Sequence, residues 1–411
     1  MNIGILTFHC GYNFGANLQA LATVASLRSI GHYPVILDFW PRELEFLYKK
    51  NKPTVQGAAH KIFVRKHLPL SRRCLSGEEV AGEIDRLELD GVIIGADAVL
   101  QHWPLVSRMN LYLSRKTLLR LGIRPVRYEL NYPNPYWGEF LDYTHEPVKA
   151  AIVSASCENT DPFFIRGKTK REMAQKLHAM SYISVRDEST ARLVRHVSHD
   201  TIKPGISADP VFSLNRHFPE LPGEQEFRER LGLPDKYILV SFHSNAAVSK
   251  DWISEFAALA SENGFTCVAM AMPEGIRYRH SLSHTLDIPL DPLDWFCAIR
   301  YSAGYVGEKM HPIVVALHNV VPFFSFDKYG IVHFKTFVVK KSSKIYQLLE
   351  RVGFLDHYAS IGGRLAYKPP SAASVWQKIS SFDNERCRRV SEMMFQSHQG
   401  ALRNALDSFE K

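Results

Sequence analysis

The chain has 411 residues, 45% apolar and 22% charged, which is too long for one ordinary core, suits two domains and excludes general disorder. Lys plus Arg outnumber Asp plus Glu by 50 to 42, a formal +8 that no long basic run concentrates. That modest excess suits anionic small molecules or an anionic membrane surface, and without zinc-finger spacing, an RNA-recognition aromatic motif or a basic helical stripe it argues against nucleic acid.

From the amino end, an apolar run over residues 2–9 reads as a strand rather than a secretory leader. The loop Cys10-Gly11-Tyr12-Asn13-Phe14-Gly15 follows, then Leu18, Leu21, Val24 and Leu27 at helical spacing, then a second apolar strand over 33–39. This βαβ unit predicts a parallel sheet with helices on its faces. Residues 40–86 read as an irregular, basic excursion, 91–97 as a buried strand running into a turn, and 100–149, dense in aromatics and prolines, as a second loop excursion. Strands are predicted over 150–156 and 182–185, with a helix around 170–180 between them.

Lys203-Pro204-Gly205 and Asp209-Pro210 form a linker, after which the alternation starts again. Strands are predicted over 237–242, 265–272, 305–307 and 321–326, with helices over 252–260, 293–301 and 313–318. The fold class is therefore α/β, with two Rossmann-like domains facing a cleft: 1–203, 204–383, and a final helix over 384–411 that could cross back to the first domain. Six cysteines lie far apart without a CxxC pair, which disfavours a disulfide framework or a zinc site. The expected setting is the reducing cytoplasm, and no apolar run approaches the 18 or so residues that a membrane span needs.

Chemistry should gather at the carboxyl ends of the strands. Lys309, Met310, His311 and Pro312 join a short buried strand to an apolar helix, with proline suited to its first turn. His311 would stand at a helix N-terminus, where free amides favour an anion, and Lys309 adds a charge. A capping histidine and a Lys309–Glu308 pair are the plain alternative. Arg186, ending the strand 183–185, could clamp a carboxylate or phosphate through its fork, or pair with Asp187 or Glu188. The loop from His9 through Asn13 to Gly15 lets a ligand approach its backbone, or is a tight turn filled by Tyr12 and Phe14. Asp97 could orient sugar hydroxyls or cap a helix, and His243 could line the same cleft or cap as well. No GxGxxG, Walker, Gly-x-Ser-x-Gly or His-Glu-x-x-His pattern occurs.

The order of these pieces resembles the polysaccharide pyruvyl transferase family along nearly the whole chain. The resemblance rests on Gly4-Ile5-Leu6-Thr7-Phe8-His9 with Asn13-Phe14-Gly15-Ala16-Asn17-Leu18-Gln19-Ala20, on Ile94-Gly95-Ala96-Asp97, and on Ser184-Val185-Arg186-Asp187-Glu188. Asp209-Pro210-Val211-Phe212 and Glu308-Lys309-Met310-His311 before Val321-Pro322 complete it. It implies the GT-B glycosyltransferase architecture. It also implies transfer of a carboxyvinyl group from phosphoenolpyruvate to a sugar of a cell-surface polysaccharide or its lipid-linked precursor, leaving a pyruvate ketal and phosphate. Arg186, Lys309 and His311 match the positions that hold phosphoenolpyruvate in such enzymes, with Met310 between the last two. The family has Arg where Lys309 stands and Gly where Pro312 stands, and its Gly-Ser-Asp-Gln run is Gly95-Ala96-Asp97-Ala98 here.

On this reading Arg186 and Lys309 neutralise the donor, His311 protonates it or its leaving phosphate, and Tyr136 and Trp137 stack on the sugar while Asp97 orients it. No cofactor or metal is expected, phosphoenolpyruvate being a co-substrate. Basic and aromatic residues between 40 and 73 are where contact with the inner membrane surface would occur, a solvated loop being the other reading. The rivals are a GT-B nucleotide-sugar glycosyltransferase using Glu308 and His311, and a non-catalytic glycan-binding protein.

Overall fold

A computed structural model describes residues 1–40, 42, 45, 49, 53–102, 130–158, 160–328, 331–333, 337–361 and 367–411. The first sheet holds β1 (Asn2–Leu6), β2 (Tyr33–Phe39), β3 (Leu70–Cys74), β4 (Gly91–Ile94), β5 (Lys149–Ala155), β6 (Tyr182–Val185) and β7 (Gly205–Ile206), all parallel, in the order β3-β2-β1-β4-β5-β6-β7. Its central strands are covered on both faces, which is why β4 reads Gly-Val-Ile-Ile without polar alternation and is buried throughout. The crossovers carry α1 (Phe14–Ser29), α2 (Thr54–His67), α3 (Gly77–Arg86), α4 (Gly167–His178) and α5 (Glu188–Val197).

The second sheet repeats the plan. It holds β8 (Tyr237–Ser241), β9 (Thr266–Met270), β10 (His284–Leu286), β11 (Gly304–Gly307) and β12 (Phe323–Asp327), with a small antiparallel pair of β13 (Ile331–His333) and β14 (Phe337–Val339) before its edge strand β15 (Tyr358–Ser360). The order is β10-β9-β8-β11-β12-β15. Its helices are α6 (Glu224–Leu231), α7 (Lys250–Glu262), α8 (Pro292–Arg300), α9 (Met310–Asn319), α10 (Lys344–Val352) and α11 (Ala372–Ser380). Both sheets thus share the topology 3-2-1-4-5-6 in their own strand counts, the first adding a seventh strand at its edge, and both reverse direction beside their first strand. In such sheets the crevice at that reversal, at the carboxyl ends, is where ligands sit.

Two elements join the halves. Every residue of α1 from Phe14 to Leu27 is buried, because α1 lies between the domains; Phe14 stacks on Trp295 of α8 at 5.2 Å. An interface helix has no solvent face, so α1 lacks the polar stripe of a surface helix. The last helix, α12 (Asn384–Glu410), begins on the second domain, where the Ser391 hydroxyl donates to the His318 carbonyl at 2.9 Å. It ends on the first sheet, where the hydroxyls of Ser408 and Ser181 lie 2.9 Å apart and Phe409 fills the space beside Gly91. Among the described residues no helix is long and apolar enough to cross a membrane.

The sequence expectation of an irregular stretch over 40–86 is corrected: its described part holds α2, β3 and α3. β3 reads Leu-Ser-Arg-Arg-Cys, an edge strand whose two arginines point outward, so its apolar signal is faint. Of the expected excursion over 100–149, residues 103–129 lie outside the described residues. The remainder holds the short turns Pro135–Trp137 and Glu139–Asp142 before β5.

Candidate active site

The first sheet reverses between β1 and β4, which places the His9–Gly15 loop beside Gly95, Ala96 and Asp97. Asn13 caps α1, its side-chain oxygen accepting from the Ala16 amide at 3.4 Å. That capping starts the helix early enough to present Gly15, and Gly15 meets the second domain. A Cβ at Gly15 would lie 2.0 Å from Cγ of His311, so the imidazole occupies the space that only glycine leaves open.

Around that ring stands a charged cluster drawn from three strand ends. Arg186, just past β6, is 8% exposed. Its Nη1 donates to Asp209 at 3.0 Å, and its Nη2 lies 3.9 Å from an Asp97 oxygen. Gln19 of α1 also donates to Asp209, at 2.6 Å. Burial alone would lower the pKa of Arg186, but the carboxylates of Asp209, Asp97 and Asp187 outweigh it, so the guanidinium is firmly charged. Asp187 is spoken for: it caps α5 through Thr190 and accepts from Ser156 at 2.8 Å. His311 responds oppositely. Burial pushes its pKa down, opposed in part by Asp209 and Asp97, so the imidazole is neutral near pH 7. Its Nε2 and the Nε of Arg186 are buried with no hydrogen-bond partner among the described residues. A cavity of about 290 Å³ opens beside Arg186, lined also by Ser207, Asp209 and Met310, the residue before His311, and, from α10, by Lys344 and Gln347.

The structure therefore brings Arg186, Asp97, Gly15, Met310 and His311 together. Lys309 is not among the described residues that line the cavity. Lys309 precedes α9 at a φ of 88°, a backbone conformation that costs about 1–3 kcal/mol for a side-chain-bearing residue. Its charge acts on His243, Glu308 and Lys328 at the second sheet's own reversal point. There Glu308 is buried, accepting the His243 amide at 3.1 Å, with the Lys328 ammonium at 3.5 Å. Burial lowers the pKa of His243, and Lys328 and Lys309 lower it further.

Three expectations for the acceptor side change. His9 is 1% exposed and both ring nitrogens are engaged, Nε2 with Asp38 at 2.8 Å and Nδ1 with the Thr7 carbonyl at 3.1 Å, so it positions the loop rather than a ligand. Tyr136 and Trp137 are core residues: Tyr136 packs edge-on against Phe8 and Phe39, and Trp137 donates to the Gln101 carbonyl. Neither ring has a face open to a sugar. Asp209 and Gln19 belong to the site, and the sequence reading gave them no role; the signal was present, since both sit in segments that carry the family resemblance.

Two Rossmann-like domains meeting over such a cluster define the GT-B architecture. UDP-GlcNAc 2-epimerase from Neisseria meningitidis, a structure bound to UDP-GlcNAc, is similar with a TM-score of 0.54 at 8% identity, covering 99% of this chain and 100% of that one. UDP-GlcNAc 2-epimerase from Methanocaldococcus jannaschii is similar with a TM-score of 0.45 at 11% identity, over 98% and 99% of the two chains. No curated protein matches in sequence. The family model for polysaccharide pyruvyl transferase matches residues 13–327, most of the chain, and the chain belongs to that family of transferases.

Proposed function

We propose that the protein transfers a carboxyvinyl group from phosphoenolpyruvate to a sugar of a cell-surface polysaccharide or its lipid-linked precursor, in the cytoplasm. The observation that carries this reading is the meeting of Arg186 and His311 from opposite domains, each with a buried nitrogen that has no partner among the described residues, next to a cavity that Arg186 and Met310 line. A carboxylate and a phosphate on one small molecule suit a fixed guanidinium beside a neutral imidazole.

The chemistry balances with these groups. A sugar hydroxyl oxygen bonds to C2 of the donor, and C3 takes a proton to become methyl. A second hydroxyl then bonds to C2 as the C2–O bond to phosphate breaks, and its proton leaves with the phosphate. His311 is the group poised to carry protons between hydroxyl and donor. Asp97, held beside Arg186, steadies the guanidinium rather than the sugar. With Tyr136 and Trp137 in the core, the exposed pair Phe163 and Phe164, on the turn between β5 and α4 at the same sheet edge, is the better sugar platform. For a lipid-linked acceptor, α2 carries exposed Val55 and Ile62 among Lys61, Arg65 and Lys66, a composition suited to an anionic membrane surface.

Purified protein given phosphoenolpyruvate and a panel of lipid-linked or nitrophenyl sugars should release phosphate and add pyruvate. His311→Ala should lower turnover by about 10²-fold or more; unchanged turnover would remove its assigned role. The nucleotide-sugar reading keeps one observation in its favour, the cluster of His243, Glu308, Lys309 and Lys328 at the second reversal point. Thermal stabilisation by a UDP-sugar and not by phosphoenolpyruvate would select it.

A further inference from the structure

The cluster around Arg186 poses a charge problem. Its one guanidinium is hydrogen-bonded to Asp209 and close to Asp97, with Asp187 adjacent, so the first domain offers the donor more negative than positive charge. Phosphoenolpyruvate carries a carboxylate and a phosphate, and Arg186 alone cannot compensate both. The sequence reading supplied Lys309 as the second cation, but Lys309 lies with Glu308 and Lys328. A second cation has to come from elsewhere.

Among the described residues that line the cavity, α10 supplies one that is uncommitted. Arg351 also lines the cavity, but its Nη2 already donates to the Ile206 carbonyl and the Ser397 hydroxyl. Lys344 is the first residue of α10, lines the same cavity as Arg186, Asp209 and Met310, and has no ion-pair partner among the described residues. Its charge is felt at His311. Ser343 caps the helix by accepting from the Ile345 amide, and its hydroxyl donates to the buried Asp327 carboxylate. Independently, the Nε of Arg186, a residue of the same cavity wall, is buried with no hydrogen-bond partner among the described residues.

We infer that Lys344 forms the phosphate subsite of the cavity that it lines with Arg186, which takes the carboxylate. This rests on the phosphoenolpyruvate reading for the identity of the donor, but the anion subsite itself does not. Lys344 binds the ligand and takes no part in proton transfer. It lies past residue 327, beyond the stretch that matches the family.

The test is calorimetric titration of the whole protein with inorganic phosphate and with phosphoenolpyruvate, for wild type, Lys344→Ala and Lys344→Arg, each checked for an unchanged melting temperature. Lys344→Ala should weaken phosphate binding by roughly tenfold, and Lys344→Arg should restore most of it. In turnover assays the alanine variant should raise KM for phosphoenolpyruvate with little change in kcat. Phosphate affinity and KM within twofold of wild type in Lys344→Ala would overturn the subsite while leaving the donor reading standing. Lys344-dependent phosphate binding in a protein that neither prefers nor consumes phosphoenolpyruvate would uphold the subsite and sink the donor reading.

Discussion

At Gly15 the two domains touch, and one methyl group decides whether His311 keeps its place. A Cβ there would lie 2.0 Å from Cγ of His311, a distance that forces the ring to move. Gly15→Ala should therefore cost about 1–3 kcal/mol of stability, read as a shift in the urea midpoint, and a far larger share of kcat. Full turnover in that variant would show that the imidazole position does not matter. The same ring gives a second prediction. His311 is neutral in the free protein because burial depresses its pKa. An anionic donor placed beside it raises that pKa, so binding should take up protons near neutral pH. Titration in two buffers of different ionisation enthalpy measures the uptake, which should vanish in His311→Asn. Spacing and motif order singled out His311 and Arg186 as candidates, and the structure places them near one another. The fate of Tyr136 and Trp137 was not legible, because aromatic residues in a proline-rich stretch read alike whether they face a ligand or fill the core. Helical or strand spacing also does not signal the positive φ at Lys309.

Element by element, legibility followed burial. Strands buried on both faces, such as β4 and β8, stand out as unbroken apolar runs, and they fix the two parallel sheets. Edge elements such as β3 and β10 carry charge or a single turn of pairing, so the stretch over 40–86 looked irregular. The sequence also could not tell that α1, read as an ordinary covering helix, is the interface itself. The turn after β4 shows how tightly such elements hold the site. Gly95 has a φ of +132°, and a Cβ there would lie 2.0 Å from the Val153 carbonyl oxygen of β5. Backbone cannot swing aside as a side chain can. Gly95→Ala should thus part β4 from β5, destabilise the protein by about 3 kcal/mol or more, and displace Asp97 from Arg186. A urea midpoint unchanged from wild type would refute this close approach.

For the whole molecule the question is what keeps two separately built sheets at the spacing the site requires, and α12, with α1, is a part that touches both. At about 1.5 Å per residue it is roughly 40 Å long, and it packs on α9 at one end and β5 and β6 at the other. Two fully or nearly buried histidines lie along this seam. His398 of α12, beside Asp209, has its pKa pushed down to about 4, and His318 at the end of α9 to about 3, burial being the main cause in both. In the unfolded chain each would titrate near 6.5. The unfolded state therefore binds more protons below that value, so stability is complete above pH 6.5 and falls as pH drops towards 4. Each histidine contributes at most about 1.4 kcal/mol per pH unit in that window. Unfolding by urea at pH 7.0, 6.0 and 5.0 should show a steady loss, and His398→Leu should flatten the slope by about one proton while preserving the packed seam. Because the seam also seats Asp209, turnover should fall in step with stability on the acid side. A stability profile flat from pH 7 to 5 would mean that these histidines reach water, and that α12 does not clamp the domains as its contacts indicate.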